Sequence, residues 1–176
     1  MPPALVAVLL LTLLTAVDVW GASDGALGAT STGSANITLT IPTQVRISGL
    51  ADLALGTWSG SGSKTANDDV CVYTNNPGAG YRVTATGNGT GGAFTVASGA
   101  ETVAYEVRWN DQTGTAGNVQ LTSGVQLASQ TGANTSSQTC GGLNSANFQV
   151  TFTSSALAAA KSGAYTGLLS IVVEPA

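Results

Sequence analysis

Gly163-Ala164-Tyr165-Thr166-Gly167-Leu168-Leu169-Ser170-Ile171-Val172-Val173 is the stretch on which the fold turns. Read as extended chain, it places Tyr165, Leu169, Ile171 and Val173 on one face, and Leu168 and Val172 beside Ser170 on the other. An apolar run of this kind suits a strand covered on both sides. Only Glu174-Pro175-Ala176 follow it in this sequence, so the run is expected to keep a free edge that no later strand fills.

A second strand pattern lies near the other end. Ile37, Leu39 and Ile41 alternate with Thr38 and Thr40 in Ala35-Asn36-Ile37-Thr38-Leu39-Thr40-Ile41, and Pro42 ends the run before Val45 and Ile47 resume it. Proline inside a strand marks an edge or a break, so Ala35 to Ile41 and Thr43 to Ser48 are expected to be two strands of different sheets or different molecules. One apolar strand lacks a partner and another is spare, the arrangement expected of subunits that exchange strands.

Between these runs the chain is β throughout. Tyr81, Val83 and Ala85 alternate with Arg82, Thr84 and Thr86; a glycine-rich turn from Gly87 to Gly92 leads to Ala93-Phe94-Thr95-Val96. Val103, Tyr105, Val107 and Trp109 then form one buried face of an expected single strand, and Phe148, Val150 and Phe152 form another. Asp69 to Tyr73 reads as an earlier strand behind a flexible turn at residues 59–67. The polar stretch from Gln112 to Ser145 holds two short apolar pieces, Val119 to Leu121 and Val125 to Leu127, expected as edge hairpin or loop. Residues 154–162 break the pattern: Ser154 or Ser155 is expected to cap a single helical turn that Gly163 ends.

Composition narrows the functional classes. The 176 residues are 43% hydrophobic and 8% charged, enough for one sizeable core. Five Lys and Arg stand scattered against nine Asp and Glu, which does not fit a nucleic-acid footprint. Residues 1–22 read as a secretory signal peptide, with an apolar stretch from Ala4 to Leu14 and small residues near Gly21 to Ser23. Residues 23–42 follow as a flexible leader and N-terminal strand, and 43–176 as the β-domain. Two cysteines in an exported chain, Cys71 and Cys140, read as one disulfide; with no His and no Cys-x-x-Cys, no metal or cofactor is expected. Catalysis also lacks its usual parts. Asp68 and Asp69 are the one adjacent carboxylate pair, and as strand neighbours they point to opposite faces.

The leading strand from Ser34 to Thr40, the Glu106-Val107-Arg108-Trp109 strand and above all the Gly163-x-Tyr165-x-Gly167 ending resemble the subunits of chaperone-usher pili, in the alternate and archaic branches that include colonisation-factor fimbriae and spore-coat U-like pilins. The resemblance implies an all-β fold: an incomplete immunoglobulin-like β-sandwich that lacks its last strand and is completed by donor-strand exchange. It implies that Ile37, Leu39 and Ile41 are donor side chains, and that Tyr165, Leu169, Ile171 and Val173 line the last strand beside the groove. Implied partners are other copies of the chain or related pilins, a periplasmic chaperone, an outer-membrane usher and a host or surface receptor. Export through the periplasm into surface fimbriae for adhesion or biofilm formation follows from the same likeness. The rival reading is a secreted carbohydrate-binding module or tip adhesin, with Trp58, Trp109 and the polar region as its sugar-facing parts; Trp109, continuing a buried alternation, is expected in the core.

Overall fold

In a computed structural model, residues 21–176 are described. The expected signal peptide therefore lies outside the described residues except at its last two positions. The chain divides into two units, one ending at Ile41 and one running Pro42–Ala176.

In the first unit, residues 35–41 belong to no sheet, contrary to the strand expected there. Alternation alone does not make a strand; its backbone groups need a partner ladder. Ile37, Leu39 and Ile41 are accordingly 94%, 84% and 73% exposed. The leader is less open than its composition implies, because Ser23 and Ser34 exchange two backbone hydrogen bonds of 2.9 Å and their hydroxyls lie 2.8 Å apart.

The second unit is a β-sandwich. One sheet joins, in the order β1-β2-β9-β6-β7, the strands β1 (Val45–Ser48), β2 (Lys64–Thr74), β9 (Ala146–Phe152), β6 (Glu106–Asn110) and β7 (Val119–Gln120). The other orders β10 (Leu169–Pro175), β3 (Tyr81–Gly87) and β8 (Leu127–Gln130). A hairpin of β4 (Thr95–Ser98) and β5 (Glu101–Ala104) stands beside them. Every strand pair is antiparallel. The two sheets close on one core, in which Val70, Val72, Val107, Trp109, Phe148 and Val150 of the first meet Tyr81, Val83 and Ala85 of the second.

Several expected boundaries move. Val103, Tyr105, Val107 and Trp109 are all buried, but they belong to two strands: the chain leaves the β4–β5 hairpin at Tyr105 and enters the large sheet. Tyr105 turns this corner with its N–H bonded to the Phe94 carbonyl at 2.9 Å and its ring between Phe94 and Phe152. β2 begins at Lys64, inside the stretch expected as a turn, because β9 pairs with it from Lys64 opposite Phe152 onward. The helix α1 (Ser154–Ala159) is capped by Thr153, whose hydroxyl accepts from Ala156 N–H at 3.2 Å, and it ends at Ala160 rather than at Gly163. Cys71 and Cys140 are bonded across a separation of 69 residues, with Cα atoms 5.8 Å apart. No helix among the described residues is long and apolar enough to cross a membrane.

Two predictions follow from this packing. Reducing Cys71–Cys140 releases a long loop in the unfolded chain and is expected to cost about 4 kcal/mol, read as a lower denaturation midpoint in reductant than without it. Burial also pushes the Tyr81 phenol well above its ordinary value of 10.0, a shift that the 3.2 Å hydrogen bond from Trp109 Nε1 opposes and nearby Asp111 reinforces. Burial raises Tyr105 in the same direction. Above about pH 10 the unfolded chain gives up phenol protons that the folded chain holds, so stability present below that pH is lost as pH rises. Melting temperatures measured from about pH 8 to 12 should fall steeply at the alkaline end, and Tyr81→Phe should flatten that fall.

Candidate functional site

β10 has one satisfied edge and one open edge. It pairs with β3 along its whole length, from Leu169 opposite Gly87 to Pro175 opposite Tyr81, and no strand of the described residues pairs with its other side. β1 runs near that open side but belongs to the opposite sheet and shares no ladder with β10. β1 and β10 therefore approach each other without a ladder, and the edge of β10 that faces β1 stays unpaired among the described residues.

Alternation decides what faces the opening. Leu169, Ile171 and Val173 turn toward the core, yet each remains half-buried, as do Val45 and Ile47 on the β1 side. A completed core would bury such residues fully. On the outer face Val172 is 52% exposed and the preceding Leu168 62%, so the double-sided cover expected from the sequence is absent there. Glu174 and Pro175 extend the strand beyond the apolar run, with Gln126 Nε2 donating to Glu174 Oε2 at 2.6 Å. Asn76 Nδ2 donates to the Ala176 carbonyl at 3.0 Å.

Tyr165 does not belong to β10. It sits in the approach segment, its hydroxyl donating to the Lys161 carbonyl at 2.9 Å. Thr166 exchanges backbone hydrogen bonds with Ala97 of β4 at 2.8 and 3.0 Å, which pins this segment to the hairpin. The glycines on either side of Tyr165 have a physical reason. A Cβ on Gly167 would stand 2.9 Å from Val96 Cγ1 and 3.0 Å from the Thr95 carbonyl oxygen, and one on Gly163 would stand 2.6 Å from Ser98 Oγ. Close backbone approach to β4 requires Gly167 bare, while at Gly163 the neighbour is the Ser98 side chain.

Beside the approach segment lies a cleft of about 1080 Å³. Residues 163–167 form one wall, Leu53, Leu55 and Trp58 another, and Val96, Phe152 and Leu157 reach it from β4, β9 and α1. Trp58 is fixed by a hydrogen bond from its Nε1 to the Gly62 carbonyl at 2.9 Å. Periodicity gives this second wall little signal: Leu53 and Leu55 alternate for one step within an otherwise irregular segment.

Other candidate residues lie elsewhere. Trp109 is fully buried, so it offers no ring to a sugar. The Asp68 and Asp69 carboxylates have separate structural duties: Asp68 accepts from Ala51 N–H at 2.7 Å, and Asp69 from Asn147 Nδ2 and Gly114 N–H at 2.8 Å each. Among the described residues no group of three or more His, Cys, Asp or Glu is placed to hold a metal ion.

No protein-family model matches the sequence, and no curated protein does. A solved structure described as a chaperone–tip adhesin complex vital for synergistic activation of CFA/I fimbriae biogenesis is similar in fold, with a TM-score of 0.50 and 15% identity over 75% of this chain. The match spans 42% of that other chain, less than half its length. At this identity the likeness is one of fold, a β-sandwich shared with a component of a fimbrial assembly complex.

The approach segment gives a direct test. Gly167→Val should lift residues 163–167 off β4 and destabilise the domain by about 1–3 kcal/mol, measured by chemical denaturation. Gly163→Ala should cost less, since the Ser98 hydroxyl it meets can rotate away.

Proposed function

We propose that the chain is a structural subunit of a surface fimbria, polymerising head to tail as residues 35–41 of one copy fill the groove between β1 and β10 of the next. One pairing of observations carries this reading. Ile37, Leu39 and Ile41 stand exposed on a segment outside any sheet, while Leu169, Ile171 and Val173 remain half-buried beside an unpaired strand edge. The two are complementary: the segment has alternating exposed aliphatic side chains, and β10 has a free ladder edge beside incompletely covered apolar side chains.

The energetics favour their union. Burying three aliphatic side chains gains about 1.5–3 kcal/mol for each one, and the new ladder adds hydrogen bonds along the strand. This is strand addition, in which backbone bonding supplies strength and alternate side chains supply register. Because donor and acceptor are different surfaces of one subunit, the contact is heterologous and propagates into a filament. An open groove in a secreted subunit also needs a temporary occupant, and a periplasmic chaperone followed by an outer-membrane usher fills that role in this reading. Strand exchange makes the groove an assembly site.

The purified full chain should form ladders on SDS gels that resist detergent and collapse on boiling. Leu39→Asp changes an exposed side chain, so residues 42–176 should still fold while the ladders disappear, with a melting temperature lowered to that of a variant lacking residues 23–41. A peptide of residues 35–41 should bind a variant lacking residues 23–41 and raise its melting temperature. Unchanged ladders in Leu39→Asp would overturn the assignment of the donor segment.

A further inference from the structure

We propose that Asn75 is a positioning residue that bars residues 35–41 from the β10 edge of their own subunit, so that they pair with another copy; this rests on the strand-exchange reading and adds its regulation. The need for such a device follows from chain length. Only Pro42, Thr43 and Gln44 separate Ile41 from Val45, the first residue of β1. A segment tethered so closely meets its own site at an effective concentration of about 1 mM or more, provided the link can span the distance. Other copies at micromolar concentration would lose that competition.

The link decides whether the near site can be reached. The free edge of β10 faces β1, so a segment of the same chain laid on that edge would run beside β1 and must reverse within residues 42–44. The residue types allow a reversal, since Ile41-Pro42-Thr43-Gln44 puts proline at the second position of a β-turn, where it is favoured. Yet residues 42–44 make neither turn nor bend.

The Asn75 side chain holds them out of it. Its Nδ2 donates to the Pro42 carbonyl at 2.9 Å, and its Oδ1 accepts from Gln44 N–H at 2.7 Å. That Gln44 N–H is the donor a turn over residues 41–44 would need for the Ile41 carbonyl. One amide therefore spans the link, and the only soft torsions between its two partners are φ and ψ of Thr43. Gln44 is fastened further, its carbonyl accepting from Asn75 N–H at 3.2 Å and from Thr74 Oγ1 at 2.9 Å. Thr74 is fully buried and pairs with Val45, which anchors the clamp in the sheet.

The full chain and its variants, refolded at one low micromolar concentration, give the test through SDS ladders, melting temperature and binding of a peptide of residues 35–41. Asn75→Ala should cut the ladder yield about tenfold, the effect of losing two modest hydrogen bonds from one side of the competition. Its monomer should melt above Leu39→Asp and bind no peptide, because its own segment fills the edge. Asn75→Asp keeps the acceptor for Gln44 N–H and loses the donor to Pro42, so its yield should fall between. Adding Leu39→Asp to Asn75→Ala should remove the self-filled monomer, which then melts no higher than Leu39→Asp and binds the peptide. Full ladders in Asn75→Ala would overturn the proposal. So would an Asn75→Ala monomer that melts with Leu39→Asp and binds the peptide, the result of a purely structural Asn75. Absence of ladders from the unaltered chain would instead overturn the strand-exchange reading, and this inference with it.

Discussion

An open strand edge laid against an unfinished core is the constraint on which the rest of this structure depends. The backbone groups on the free side of β10 need partners, and Leu169, Ile171 and Val173 need cover. Water meets the first need and fails the second. One added strand meets both at once, because the geometry that completes a ladder also places every second side chain over the core. A molecule built this way is also exposed to indiscriminate pairing, since a long apolar edge accepts any extended chain.

Holding that edge open without collapse requires a rigid frame. Tyr81 and Trp109 lock the two sheets across the core, edge to face with centroids 6.3 Å apart. The disulfide fixes the loop before β9 to the outer face of β2. Gly163 and Gly167 allow the segment leading into β10 to press onto β4, so the entrance to the groove is set by backbone contact. Packed interiors resist continuous deformation, and the positions of the strands around the free edge are held by this frame.

What the sequence disclosed follows the same physics. β3 and β9 were legible because strict alternation, Tyr81-Val83-Ala85 and Phe148-Val150-Phe152, records one dry face and one wet face between clear turns. The passage from β5 to β6 was hidden, since side-chain alternation runs unbroken through Tyr105 while the hydrogen-bonding partner changes. The start of β2 was hidden for the opposite reason: Lys64-Thr65-Ala66-Asn67 is polar, and only β9 makes it a strand. In the candidate site, the face of β10 could be read directly. Tyr165 was assigned to it wrongly, because a period of two marks direction and not where a ladder begins. Leu53, Leu55 and Trp58 come from an irregular segment, whose folding back is a tertiary event without periodicity.

β1 borders the free edge of β10 and the outer surface at once. Its four residues alternate, sending Val45 and Ile47 toward the core beside the groove and Arg46 outward. A strand inserted between β1 and β10 would lie along the first face and leave the second in water. Pairing along the inner face therefore leaves the outward row of β1 unchanged, because a period of two keeps the two sets of side chains on opposite faces.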